Sequence, residues 1–294
     1  MGEKDTVTKT LESHESVFAD ILNVLLFDGE SVISADELSP ADKESQYKVS
    51  GEIRSQQRDV SKFWHNTHIN LAFIGIENQV APDKLMPLRV INYDGSVYRN
   101  QYKAAQENND KTCYPVITLV IYFGKKEWNY GKNLHSCLNI PDALLPFVND
   151  YKMNFYSIKD MQPEQIQKFK SDFRLIAEFF YALNNGIEYH PTNQVLEYPE
   201  ETLDMISVFS DDERFRNEYN TITTDKKGEI TMCEIYDKIL MEGEARGEAR
   251  GEAKGRLAVL TELVQKGIIT IMQAAEQEKM TVEEFSKKTG LAAQ

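Results

Sequence analysis

The stretch INLAFIGIENQ, residues 69–79, decides how this chain folds. It opens apolar and β-branched and closes on Glu77, Asn78 and Gln79, the pattern of a strand that leaves a buried sheet at its polar end. Side chains alternate along a strand, so Glu77 and Gln79 face one way and Asn78 the other. Just upstream, RDVSKFW (58–64) places Asp59, Ser61 and Phe63 on one face of a second strand, and Asn66-Thr67 offers the turn between them. Two strands joined by so short a turn bring Asp59 beside Glu77.

Working outward, LESHESVFADILNVLLF (11–27) repeats apolar residues at helical spacing and ends at Asp28-Gly29. Residues 30–50 turn polar around Pro40 and read as a loop or short irregular elements. Pro87 suits the first turn of a helix through LRVINYDGSVYRNQYKAA, on which Arg89 and Tyr93 share a face. YPVITLVIYF (114–123) is an unbroken apolar run stopped by Gly124, a strand buried on both faces. YKMNFYSI (151–158) alternates as a fourth strand, and residues 163–184 and 200–219 read as two long helices. The order implies an α/β core with a helical extension.

The tail GEARGEARGEAKG (243–255) returns Gly243, Gly247, Gly251 and Gly255 to nearly one helical face. Its Glu and Arg lie two or six apart, which forgoes pairing at i,i+4, and each glycine costs a helix about 1 kcal/mol relative to alanine. The segment therefore reads as a marginal helix or linker. Its glycine stripe also suggests a homo-oligomer formed through the C-terminal tail. Helical periodicity resumes over 256–289, with a capped start near Thr281.

The 294 residues carry a net charge of −14, so a surface broadly coated for nucleic acid is excluded and any DNA contact must be local. No apolar run reaches the roughly 18 residues of a membrane span, and the N-terminus lacks a signal-peptide layout, which implies a cytoplasmic location and no membrane partner. Cys113, Cys137 and Cys233 are too few and too scattered for a disulfide framework or a CxxC metal site. His65 and His68 have HxxH spacing, but no Cys or acidic partner lies nearby, so solvated loop histidines outweigh a zinc site. Between Lys43 and His68, five basic residues stand against three acidic ones. That surplus marks Arg58 and Lys62, with Arg89 on the following helix, as candidates for phosphate contact, each balanced by an ordinary solvated or ion-paired reading.

Two carboxylates on adjacent strands can hold a hard cation against a phosphate. Mg²⁺ takes oxygen ligands, often one or two carboxylates with several waters, and Asp59 and Glu77 suit it. Gln79 can orient water or bond a phosphate oxygen but, as a neutral amide, cannot act as a base.

RSQQRDVSKFW (54–64), LAFIGIENQ (71–79), MPLRVINYDG (86–95) and YPVITLVIYFG (114–124), with the GEAR-like tail, resemble successive blocks of the Rpn family of recombination-promoting nucleases and transposase-like proteins, within the PD-(D/E)xK nuclease superfamily. The resemblance implies an α/β, PD-(D/E)xK nuclease-like core with a central mixed β-sheet flanked by helices, plus a helical C-terminal extension. The order of elements divides the chain into a core over residues 1–160, a helical extension over 161–240, and a linker and tail over 241–294. The resemblance makes Asp59 and Glu77 the metal ligands and catalytic carboxylates, with Mg²⁺ or Mn²⁺ as cofactor and DNA as substrate. Gln79 occupies the place of the superfamily's lysine, as in other Rpn-like sequences. An acidic residue from the first helix often completes such sites, and Asp20 is the candidate there. The implied activity is endonucleolytic. The rival expectations are a catalytically silent DNA-binding or regulatory module and an oligomeric interaction protein built on the tail.

Overall fold

The computed structural model describes residues 11–41, 44–49, 52–57, 59–65, 70–108, 112–225 and 229–291. Arg58, His68 and the Asn66-Thr67 turn fall outside these. Chain contacts divide into two units, Met1–Ile235 and Tyr236–Gln294.

The first unit is built on a mixed five-stranded sheet. Its strands are β1 (Leu38–Pro40), β4 (Val60–His65), β5 (Asn70–Gln79), β6 (Val116–Tyr122) and β7 (Asn154–Ser157), in the spatial order β1-β4-β5-β6-β7. β1, β4 and β5 pair antiparallel, whereas β5, β6 and β7 are parallel. β2 (Glu44–Val49) and β3 (Glu52–Gln57) form a separate antiparallel pair. Strands thus occupy part of 30–50, which composition alone made a loop. Pro40 sits at the end of the edge strand β1, a position compatible with its missing N–H.

The register fixes which helix covers which face. Phe63 lies opposite Phe73, and Glu77 opposite Val120. These residues face α2 (Met86–Asn108), whose Met86, Val90 and Val97 pack on Val120, Phe73 and Val116. Lys62 lies opposite Ile74 and Val60 opposite Ile76, on the other face, where Lys62 reaches α1 (Glu15–Phe27). Val120 and Ile121, adjacent on β6, are both fully buried, as a strand covered on both faces requires. Gly124 ends this run because a methyl group there would stand 2.3 Å from Tyr122 Oη and 2.4 Å from the Val80 carbonyl.

Three helices predicted as continuous are interrupted. The first begins at Glu15 rather than Leu11, because residues 12–14 turn and Lys62 Nζ takes the Ser13 carbonyl at 2.6 Å. The second splits into α3 (Pro163–Ile166) and α4 (Phe173–Asn185). Between them Asp20 accepts the Lys170 and Ser171 amides, both at 2.8 Å, diverting donors that a through-helix would use. The third splits into α5 (Pro199–Ser210) and α6 (Arg214–Asp225), with Asp211 left-handed and Asp212 accepting the Arg214 amide. Phe123, Phe173, Phe180 and Phe209 meet edge to face, joining this helical layer to the end of β6.

The second unit is helical. α7 (Met232–Gln265), which starts within the first unit, runs unbroken through the glycine repeat for 34 residues. The i,i+4 pairs absent within the repeat occur at its two ends, Glu242–Arg246 and Glu252–Arg256. Such pairs contribute only about 0.2–0.5 kcal/mol each, less than the glycines cost. Packing supports the helix instead: Leu260 docks on Ala274 and Ala275 of α8 (Ile271–Gln277) and on Phe285 of α9 (Val282–Thr289). Thr270 and Thr281 close capping boxes with Gln273 and Glu284, as the sequence around Thr281 predicts. Among the described residues no helix is long and apolar enough to cross a membrane.

Candidate active site

The antiparallel register ends at Val60 opposite Ile76, so the next residue back along the chain, Asp59, arrives beside Glu77. Where β4 offers no further backbone acceptor, Asp59 Oδ2 accepts the Asn78 amide at 2.8 Å. The carboxylate thereby completes the strand's hydrogen bonding and is fixed in place. Glu77, 2% exposed, lies on the α2 face, where Arg89 Nη2 reaches its Oε2 at 3.2 Å. Arg89 also donates to Asp83 Oδ2 at 3.4 Å and to the Tyr93 hydroxyl at 3.4 Å. Gln79 ends the strand, partly buried and opposite Tyr122.

On the opposite face lies a carboxylate that the sequence reading missed. Glu12 is fully buried in the turn before α1 and accepts the Asn78 side-chain amide at 2.7 Å. Burial, reinforced by the charges of Asp59 and Glu77, pushes its carboxyl up to about 8. Glu12 Oε1 and Asn78 Oδ1 are buried and find no donor among the described residues. A protonated Glu12 can donate where a carboxylate cannot, which relieves both the charge crowding and the donor shortage. Glu12, Asp59 and Glu77 thus wrap around the end of β5. Periodicity offered no signal for it, since three, four, seven and eleven residues on from Glu12 stand Glu15, Ser16, Ala19 and Asn23, the more polar side of the helix.

Asp20 does not join them. Its Oδ2 is engaged by the Lys170 amide and by the Ser171 amide and hydroxyl, so it staples the α3–α4 connection and the expectation of a ligand there is corrected. Lys62 is also not open to a phosphate. Its side chain is 3% exposed, donates to the Ser13 carbonyl and pairs with Glu15 at 2.7 Å. Arg89 is 38% exposed at the mouth of the cluster. Burial alone would lower its pKa, but the Tyr93 hydroxyl and the neighbouring carboxylates outweigh that and raise it. Tyr93 is itself raised, by burial first and then by the charge of Glu77.

Among the described residues no three His, Cys, Asp or Glu side chains stand as a ready metal-holding group. The oxygen donors of Asp59 and Glu77 nevertheless suit a hard divalent cation that takes one or two carboxylates and keeps its waters.

No curated protein and no solved structure gives a significant match to this chain. A family profile does match, over residues 3–206, and that span contains the five-stranded sheet and every residue of the cluster. An α/β sheet flanked by helices accords with that match, and the chain belongs to the family described as "Putative transposase, YhgA-like".

Proposed function

We propose that this chain is a divalent-metal-dependent DNA endonuclease, hydrolysing phosphodiester bonds at the end of β5 in the context of recombination or mobile elements. The observation that carries the proposal is the fixing of Asp59 on the Asn78 amide, one residue from buried Glu77. When bound, Mg²⁺ or Mn²⁺ supplies Lewis-acid polarisation of the phosphodiester and acidifies water. Asp59 and Glu77 hold the ion. Gln79 orients the attacking water or bonds a phosphate oxygen, and its neutral amide leaves the proton to another acceptor. Arg89 turns from Glu77 to a phosphate oxygen once the carboxylate has another cation to face. Purified protein is expected to nick supercoiled plasmid with Mg²⁺ or Mn²⁺ and to stop in EDTA or on Asp59→Ala or Glu77→Ala. Undiminished cutting by both variants would sink the assignment.

A second reading is a silent nuclease fold that binds DNA or regulates. Two features favour it: Glu77 already faces a guanidinium, and an amide stands at position 79. A wild type that shifts DNA in a gel but never nicks it, with either metal, decides for this alternative.

A further inference from the structure

The helix α2 turns toward solvent a face that carries no acid. At about 100° per residue, Asn92, Arg99, Lys103 and Gln106 fall within about 60° of arc, with Arg89 and Tyr102 each about 40° beyond its edges. Asn92, Arg99, Tyr102, Lys103 and Gln106 are all exposed, Tyr102 at 62% with its hydroxyl accepting from Gln106 Nε2 at 2.9 Å. Gly95 lies on the same face, with open space where a side chain would stand. The helix holds two acids, and neither interrupts the face. Asp94 is buried and takes the hydroxyls of Thr118 at 2.6 Å and Tyr151 at 2.5 Å, and Glu107 stands in the last turn, past Lys103.

This charge stands against the rest of the chain, where 47 acidic residues outnumber 33 Lys and Arg. Among the described residues neither Arg99 nor Lys103 pairs with an acid, Glu107 included, whereas Arg174, Arg214 and Arg216 each do. Arginine, lysine, asparagine, glutamine and tyrosine are the side chains that bond phosphate oxygens, and here they share one helix face. A local basic strip is the only kind of nucleic-acid contact that a net charge of −14 allows. The strip also has a direction. It starts at Arg89, which reaches Glu77 Oε2 at 3.2 Å, and the helical rise sets Arg99 about 15 Å and Lys103 about 21 Å further along the axis. At about 3.4 Å per base pair, those distances span about four to six pairs of a duplex.

We propose that the solvent face of α2 is a track for a DNA backbone, on which Arg99 and Lys103 hold phosphates about four to six base pairs from the bond lying at the acidic cluster. The choice of DNA as the polyanion rests on the nuclease reading. The place of the contact rests on the helix alone.

The test titrates full-length protein with a short fluorescein-labelled duplex over a range of salt, in Ca²⁺ so that cutting does not intervene. Wild type is compared with Arg99→Gln combined with Lys103→Gln, and with Lys287→Gln combined with Lys288→Gln, which removes the same charge from exposed positions on α9. The α2 variant is expected to bind about ten- to a hundredfold more weakly at about 0.1 M salt, and its plot of log affinity against log salt to be shallower by about 1.8, the share of two phosphate contacts. It should melt as the wild type does, since both side chains meet solvent. The α9 variant should keep the wild-type slope. An α2 variant with unchanged affinity and slope would overturn the proposal, and so would an equal loss in both variants, which reports net charge and no track. Loss of binding to phosphatidylserine vesicles with DNA affinity unchanged would overturn it as well. A wild type that binds DNA through α2 but never nicks it leaves the track standing and removes the nuclease reading. Nicking and binding unchanged in the α2 variant do the reverse.

Discussion

Among the acids of the first unit that are almost wholly withdrawn from water, Asp172 and Glu12 are treated in opposite ways by their surroundings. Asp172 accepts from the Glu197 and Tyr198 amides at 3.1 and 2.7 Å and from the Thr202 hydroxyl at 3.2 Å. Glu12 accepts from one amide and faces two further carboxylates. Burial lifts both above their ordinary range, but Asp172 has a donor for each need and joins the start of α4 to that of α5. A buried carboxylate with enough donors is architecture. One left short of them among like charges is poised to take up a cation or a proton.

The sharpest way to break this contrast is to remove one acid from each group. Asp59→Asn should lower metal-dependent nicking by more than about a hundredfold while leaving the thermal midpoint nearly unchanged, because an amide oxygen can still accept the Asn78 N–H. An Asp59→Asn protein that loses stability instead would make the strand-end carboxylate architectural. Asp172→Ala should act in the opposite sense: three orphaned donors cost about 2–4 kcal/mol in a urea titration, and the surviving folded protein should cut normally.

Glu12→Gln sharpens the comparison through pH, in metal-free protein. The folded-state carboxyl lies at about 8 against an ordinary 4.5, so the folded chain holds the proton more tightly than the unfolded one. The stabilisation from the neutral acid is complete below about 4.5 and is lost as pH rises through about 8. Wild type should therefore lose thermal midpoint between pH 5 and pH 9, and Glu12→Gln should flatten that slope. Parallel slopes for the two proteins would place Glu12 among the acids with sufficient donors. The smallest effect is expected at Asp20. Asp20→Asn should cost about 1–2 kcal/mol, through the Lys170–Ser171 connection, with nicking unaffected.

What the sequence made legible follows from how local each determinant is. The period of two in INLAFIGIENQ and the closeness of RDVSKFW are local, and they led to the antiparallel neighbours that bring Asp59 to Glu77. The breaks in the helices were hidden because distant groups make them. Lys62, 49 residues from Ser13, takes its carbonyl, and Asp20, 150 residues from Lys170, takes its amide. No window over residues 11–27 or 163–184 contains these partners, so periodicity ran on through both turns. The same blindness concealed Glu12, which leaves the helical run only because that run is interrupted. Lys62 illustrates the converse: a lysine that sequence assigns to a solvated, phosphate-facing strand is drawn into the interior by α1.

Gly124 has a consequence for anyone surveying this chain by saturation mutagenesis. Every other side chain, alanine included, would have to displace the Tyr122 ring or the Val80 carbonyl, and both belong to the central strands or their ends. Position 124 should therefore score as intolerant as Asp59 or Glu77 in a growth selection, although it lies outside the acidic cluster. A map of intolerant positions would outline the chemistry and the tight corner together, and only a solubility readout on the same library would separate them.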